Sequence, residues 1–177
     1  MSGPPSPVLV AGVGNVFLGD DGFGVEVARR LDGRSLPDGV VVADYGIRGV
    51  HLAYDLLDGE YRTLILVDAV PIDEPPGTVV VLEVDPGATE DGLPAAVPDA
   101  HGMDPSTVLN LVRTLGAAGP GYLERIYVVG VRPACLDAVM GLSKPVQKAV
   151  DQAVSTVLGL LAEDPVANGR LMATGAD

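Results

Sequence analysis

The sequence predicts a single three-layer αβα domain built on a mixed, mostly parallel β-sheet. Three observations carry that prediction. Short apolar runs alternate along the chain with amphipathic ones, the pattern of strands followed by covering helices. One run, TLILVD at 63–68, is apolar without alternation, as expected of a strand covered on both faces. The link from it to the next apolar run is too short for a crossover, so one strand is expected to run antiparallel.

In order along the chain, VLVAGVGNVFLGDDGFGVEVARRL (8–31) reads as a strand, a loop holding Gly12, Gly14 and two adjacent carboxylates, and a helix. VVVADYG (40–46) is a second strand ending near Asp44, and VHLAYDLLDG (50–59) a short helix stopped by Gly59. TLILVD is the third strand. After a Pro-rich turn, TVVVLEV (78–84) is the antiparallel one. Asp104 and Pro105 form an N-cap and first-turn pair, and Val108, Leu111, Val112 and Leu115 repeat at helical spacing, predicting a helix over 105–116. RIYVVGVRP supplies a further buried strand. Ser143 then caps a last helix whose Val146, Val150, Ala153, Val157 and Leu160 form one apolar stripe.

With 177 residues, 47% of them hydrophobic, the chain suits one domain, expected over 8–162, with flexible termini at 1–7 and 163–177. No apolar stretch nears the roughly 20 residues of a membrane helix, and no signal peptide pattern opens the chain. A soluble, cytoplasmic, monomeric protein with no membrane partner is expected. Cys135 is the only cysteine, which excludes an intrachain disulfide and a thiolate zinc cage. Any metal here must therefore use oxygen and imidazole. With 24 acidic against 11 basic residues the net charge is −13, which repels phosphate backbones and argues against a nucleic-acid partner.

Asp21, Asp68 and His101 each fall where a strand gives way to a loop. Ligands gather outside the carboxyl ends of strands in open α/β sheets, so Asp21 and Asp68 are expected on one rim. His101 lies in a Gly-, Pro- and Asp-rich stretch, 87–105, with no helical or strand period. Together the three could ligate one divalent ion. Taken singly, each has a plainer reading: Asp20 and Asp21 as helix caps, Asp68 as a turn former, His101 as a solvated loop residue. His51 reads as structural and Cys135 as a small buried thiol. A dinucleotide fingerprint fails, because Phe17 stands where its third glycine would fall and two acids occupy the pyrophosphate position. No G-x-S-x-G elbow is present.

Three motifs resemble those of the maturation endopeptidases of [NiFe] hydrogenases. GVGNVFLGDDGFGVEVARRL is similar to that family's opening signature, VDAV (67–70) to its second motif, and GVRPACLDAVMGLS (130–143) to its late segment. The likeness runs from about Val8 to Leu161. It implies a phosphorylase/hydrolase-like fold and an endopeptidase that removes the C-terminal extension of a hydrogenase large-subunit precursor after nickel insertion. It also implies metal ligands at Asp21, Asp68 and His101, the residues already singled out, acting as a metal-bound catalytic assembly. Nickel would arrive with the substrate, and zinc or cadmium could occupy the same donors. Asp20 is then a possible base. The DYGIRG loop (44–49) offers Gly46 and Arg48 as substrate-binding candidates, with Ile47 where the family often has a small hydroxylated residue. The competing expectations are a nickel-sensing assembly chaperone that does not cut, and a metal-dependent hydrolase of a small molecule.

Overall fold

Each apolar run of the chain forms a strand in the computed structural model, which describes residues 7–59, 61–84 and 123–163. The strands are β1 (Val8–Val13), β2 (Val40–Gly46), β3 (Thr63–Ala69), β4 (Val79–Val84) and β5 (Arg125–Val131). They form one sheet in the order β2-β1-β3-β5-β4. The pairs β1/β2, β1/β3 and β3/β5 are parallel, and β4 lies antiparallel at the edge against β5. The sheet is thus mixed and mostly parallel, as predicted. Rather than pairing with β3, β4 reaches past the position that β5 later fills.

The described helices are α1 (Phe23–Asp32), α2 (Gly49–Asp58) and α3 (Lys144–Glu163). The pleat divides the sheet's side chains between two cores. Val8, Val10, Ile65, Val67, Tyr127 and Val129 face α1 and α3, whereas Leu9, Ala11, Leu64, Leu66, Ile126 and Val128 face α2. Because β1 and β3 are buried on both faces, their sequences are continuous apolar runs. The stripe of α3 ends on Leu161, which is buried, while the predicted Leu160 is only partly so. The predicted helix over 105–116 and the predicted termini at 1–6 and 164–177 lie outside the described residues.

One local expectation is borne out by an unexpected geometry, and one needs correction. Gly59 does stop α2, in an extended conformation (φ −87°) rather than a left-handed one. Glycine is needed there for space, since an added Cβ would stand 2.6 Å from the Tyr61 ring and 2.7 Å from the Asp55 carbonyl. His51 does not pack into the core; it is exposed on the first turn of α2.

The feature that positions the site is the seat of α1. A Cβ on Gly24 would fall 2.1 Å from the carbonyl oxygen of Val67 and 2.4 Å from that of Val13, and one on Gly12 2.3 Å from the Gly24 carbonyl. The first turn of α1 therefore rests directly on the backbones of β1 and β3 at their carboxyl ends. No side chain fits between them.

Candidate active site at the carboxyl rim

Just before α1, residues Gly19–Gly22 form a single 3-10 turn that holds both carboxylates of the GDDG sequence. Neither acid caps a helix by a side-chain hydrogen bond. Their two side chains instead part company. Asp20 turns inward and is 0% exposed, while Asp21 is half-buried at the rim.

The Asp20 carboxylate is fully engaged. Oδ2 accepts hydrogen bonds from the amides of Ala134 (2.8 Å) and Cys135 (2.9 Å) and from the Ser143 hydroxyl (2.8 Å), and Oδ1 accepts from the Ser143 amide (2.7 Å). The Asp20 amide in return donates to the Cys135 carbonyl at 2.8 Å, and the Gly19 amide to that of Val139 at 2.8 Å. A buried carboxylate is tolerable only with such compensation. These bonds argue against Asp20 as the base considered from sequence, because a base needs an oxygen turned toward its substrate. The Ser143 hydroxyl donates to Asp20 at the head of α3, where the Ser143 carbonyl accepts from Gln147.

Asp21 and Asp68 meet around Gly14. The backbone there has φ +128°, a conformation that side chains rarely adopt, and an added Cβ would lie 1.8 Å from the Asp21 carbonyl oxygen and 3.4 Å from Asp68 Oδ1. Asp21 Oδ2 accepts the Asn15 amide at 2.7 Å, which orients its carboxylate along the loop. Asp68, 2% exposed at the end of β3, accepts the Ala69 amide on Oδ1 at 2.8 Å. Charge-assisted bonds of this kind hold a carboxylate in place. Carboxylate oxygens are donors of the kind that suit a borderline divalent ion. Among the described residues no group of three His, Cys, Asp or Glu side chains converges on a metal position. His101, the predicted third ligand, lies outside those residues.

The DYGIRG loop joins the same rim. β2 carries a bulge, with Gly12 opposite Asp44 but Val13 opposite Gly46, and the extra residue, Tyr45, turns into the core. Its hydroxyl donates to Asp55 at 2.7 Å, and burial followed by that carboxylate raises its pKa above the ordinary tyrosine value. Gly46, left-handed at φ +53°, accepts the Gly14 amide on its carbonyl at 2.9 Å. Arg48 spends its guanidinium on its own loop, Nη2 on the Asp44 carbonyl at 2.7 Å and Nε on that of Tyr45 at 3.2 Å. The structure thus brings Gly46 beside the Asp21 and Asp68 loops and shows Arg48 bracing that neighbour. Cys135 is half-buried rather than buried, its thiol donating to Asp137 at 3.5 Å.

Sequence reading missed the partners of Asp20, namely Ala134, Cys135 and Ser143. The signal available was joint: the GDDG turn and the RPACLDAVMGLS segment are two of the three motifs, and the structure bonds them to each other.

A three-layer α/β domain with buried carboxylates on the carboxyl rim of its parallel strands has the build of an enzyme whose loops form one site at that end. Similarity to known proteins specifies the kind. Residues 25–160 match the family model described as hydrogenase maturation protease. A Methanocaldococcus jannaschii protein carrying that name is 34% identical over 157 residues, covering 86% of this chain and 94% of its own. The hydrogenase 2 maturation protease of Escherichia coli is 30% identical, covering 90% and 93%. The structure of a hydrogenase maturating endopeptidase from E. coli superposes with a TM-score of 0.71 at 27% identity, covering 89% and 93%. The chain belongs to the hydrogenase maturation protease family, and it is a peptidase. No helix among the described residues is long and apolar enough to cross a membrane.

Proposed function

We propose that this protein removes the C-terminal extension of a [NiFe] hydrogenase large-subunit precursor after nickel has been inserted. Asp21, Asp68 and His101 read that nickel. The observation that carries the reading is that Gly14 is flanked by the backbone carbonyl of Asp21 and the carboxylate of Asp68, on the rim where ligands of such sheets gather. Family membership supplies the reaction class and, through relatives named for hydrogenase maturation, the class of precursor. It also sets cleavage above the chaperone that does not cut.

Two carboxylates and an imidazole make a modest site that leaves coordination positions for the ion's ligands in the precursor. A site of this strength senses a metal delivered by the substrate, and zinc or cadmium can take its place. Substrate-borne nickel supplies Lewis acidity at the scissile bond or an activated water. The chain's own contribution is orientation: Asn15 and Ala69 fix the two carboxylates, and Gly14 leaves room for the Asp21 backbone carbonyl and the Asp68 carboxylate on either side of it. With Asp20 occupied, the less buried Asp21 is the proton acceptor within reach of a substrate.

The test is incubation of nickel-loaded and nickel-free precursor with the wild type and with Asp21→Ala, Asp68→Ala and His101→Ala, read by mass spectrometry. Shortening of the loaded precursor alone is expected, slowed on the order of 100-fold in each variant, as when a group that orients the reacting geometry is lost. Equal cutting of nickel-free precursor, or undiminished cutting by the variants, would sink the proposal.

A further inference from the structure

The segment 132–143 has an unusual division of labour. Its backbone is bound down at both ends and along its length. At one end the Arg132 amide donates to the Thr78 carbonyl (3.0 Å) and its carbonyl accepts the Gly77 amide (2.8 Å); at the other, Ser143 gives both its amide and its hydroxyl to Asp20. Between them Ala134 and Cys135 bond to Asp20, and Val139 to Gly19. Meanwhile three of its four large apolar side chains face out, Met140 73% exposed, Val139 51% and Leu136 48%, while Leu142 packs half-buried against the core. Phe17, 62% exposed, stands two residues before Gly19 on the loop that this segment is bonded to.

Apolar side chains held out from a fixed backbone mark a surface that meets another molecule. Of the nine large apolar residues exposed among the described residues, four are these, and Ile47 lies beyond Gly46, which is itself hydrogen-bonded to Gly14. The concentration is therefore at the acidic rim. Surrounding charge selects the occupant's flanks. Asp137 sits on the segment and Asp21 follows its clamp, half-buried Arg132 and exposed Lys144 stand at its two ends, and the chain as a whole carries −13. A complementary stretch is apolar with basic neighbours.

We propose that segment 132–143 is a ledge on which an apolar stretch of the precursor polypeptide lies beside the scissile bond, and that Asp20 is the positioning residue that fixes the ledge. This rests on the proposed precursor substrate. Asp20 touches no reacting atom. It ties the ledge to the turn that carries Asp21, so that the place where the polypeptide lies and the place where it is cut keep one spacing. Positioning of this kind is felt in binding first.

The experiment uses the full chain and the nickel-loaded precursor, with steady-state cleavage and a separate binding titration. Met140→Ser and Leu136→Ser alter exposed side chains only. Each is expected to raise KM and Kd about tenfold, the scale of one good interface side chain, with kcat nearly unchanged. In Asp20→Asn the sole cysteine reports the ledge directly: Cys135 should react faster with a thiol reagent, and KM should rise with it while far-UV circular dichroism is retained. Wild-type KM in both surface variants, or a loosened Cys135 with unchanged KM, overturns the ledge. If Asp20→Asn does not fold, the surface variants decide alone. If the wild type binds the precursor without cutting it, the functional reading fails while the ledge is still judged by Kd; if it neither binds nor cuts, both fall.

Discussion

The two ends of the sheet are built on different terms. At the amino end, strands begin in ordinary polar loops: Arg62 and Glu124 form a half-exposed ion pair, and the Arg62 backbone ties the start of β5 to Pro7 ahead of β1. At the carboxyl end, the chain buries the only two charged side chains among the described residues that are fully enclosed, Asp20 and Asp68, and exposes apolar ones instead. Positive-φ glycines lie there at Gly14, Gly19 and Gly46, against Gly39 at the amino end before β2. Burying charge and exposing hydrocarbon both cost stability. Both costs are concentrated at the carboxyl end, which carries the proposed site; at the amino end the described residues bury no charge and expose Val41 on the edge strand β2.

The contrast breaks most severely at Asp20. Replacing it by alanine leaves the amides of Ala134, Cys135 and Ser143 and the Ser143 hydroxyl without their acceptor in a dry site. Loss of one partner from a buried charged network costs about 3–5 kcal/mol, and chemical denaturation of Asp20→Ala should show a loss of that size. A loss below about 1 kcal/mol, the scale of a solvated surface pair, would mean that the clamp is wet. Gly24→Ala comes next. Its methyl would stand well inside contact distance of the Val67 and Val13 carbonyls, so α1 must lift from the sheet, and overpacking of this kind costs about 1–3 kcal/mol. Because α1 carries the GDDG turn at its head, cleavage should fall along with the melting temperature. Full activity in a destabilised Gly24→Ala would detach the seat of α1 from the site.

How much of this the sequence disclosed follows from the range of the interactions. Strands and helices are written locally: TLILVD is apolar throughout because both faces are covered, and the antiparallel course of β4 follows from its short link. The rim was legible through the rule that places loops after parallel strands at one end, which put Asp21 and Asp68 together. What stayed hidden is long-range. Asp20 looked like a cap because acids before helices usually are, and nothing within its own neighbourhood points to Ser143, more than a hundred residues away. Gly24 was read only as part of a motif, whereas it is there so that a helix can touch two strands. Gly59 stops α2 as expected, but its need is space beside Tyr61 rather than a left-handed backbone. Local sequence reports conformation, and these residues answer to neighbours that local sequence does not contain.

The smallest effect sharpens the comparison from the other side. Arg62→Ala removes the ion pair with Glu124 at the amino end but leaves the backbone bonds of residue 62, whose amide donates to the Pro7 carbonyl and whose carbonyl accepts the Glu124 and Arg125 amides. Both charged groups are half-exposed, and an exposed pair contributes at most about 1 kcal/mol, less in salt. Arg62→Ala should therefore shift the unfolding midpoint only slightly, with the shift shrinking further in molar salt, and should leave KM and kcat for the precursor at wild-type values. The value of the variant lies in that second expectation. It changes a charge on a chain whose acidity is large, so if long-range attraction of a basic precursor were spread evenly over the surface, making the chain more acidic would speed cleavage. An unchanged rate keeps recognition at the carboxyl rim; a rate that moves with Arg62 would extend it to the amino end and erase the distinction between the two.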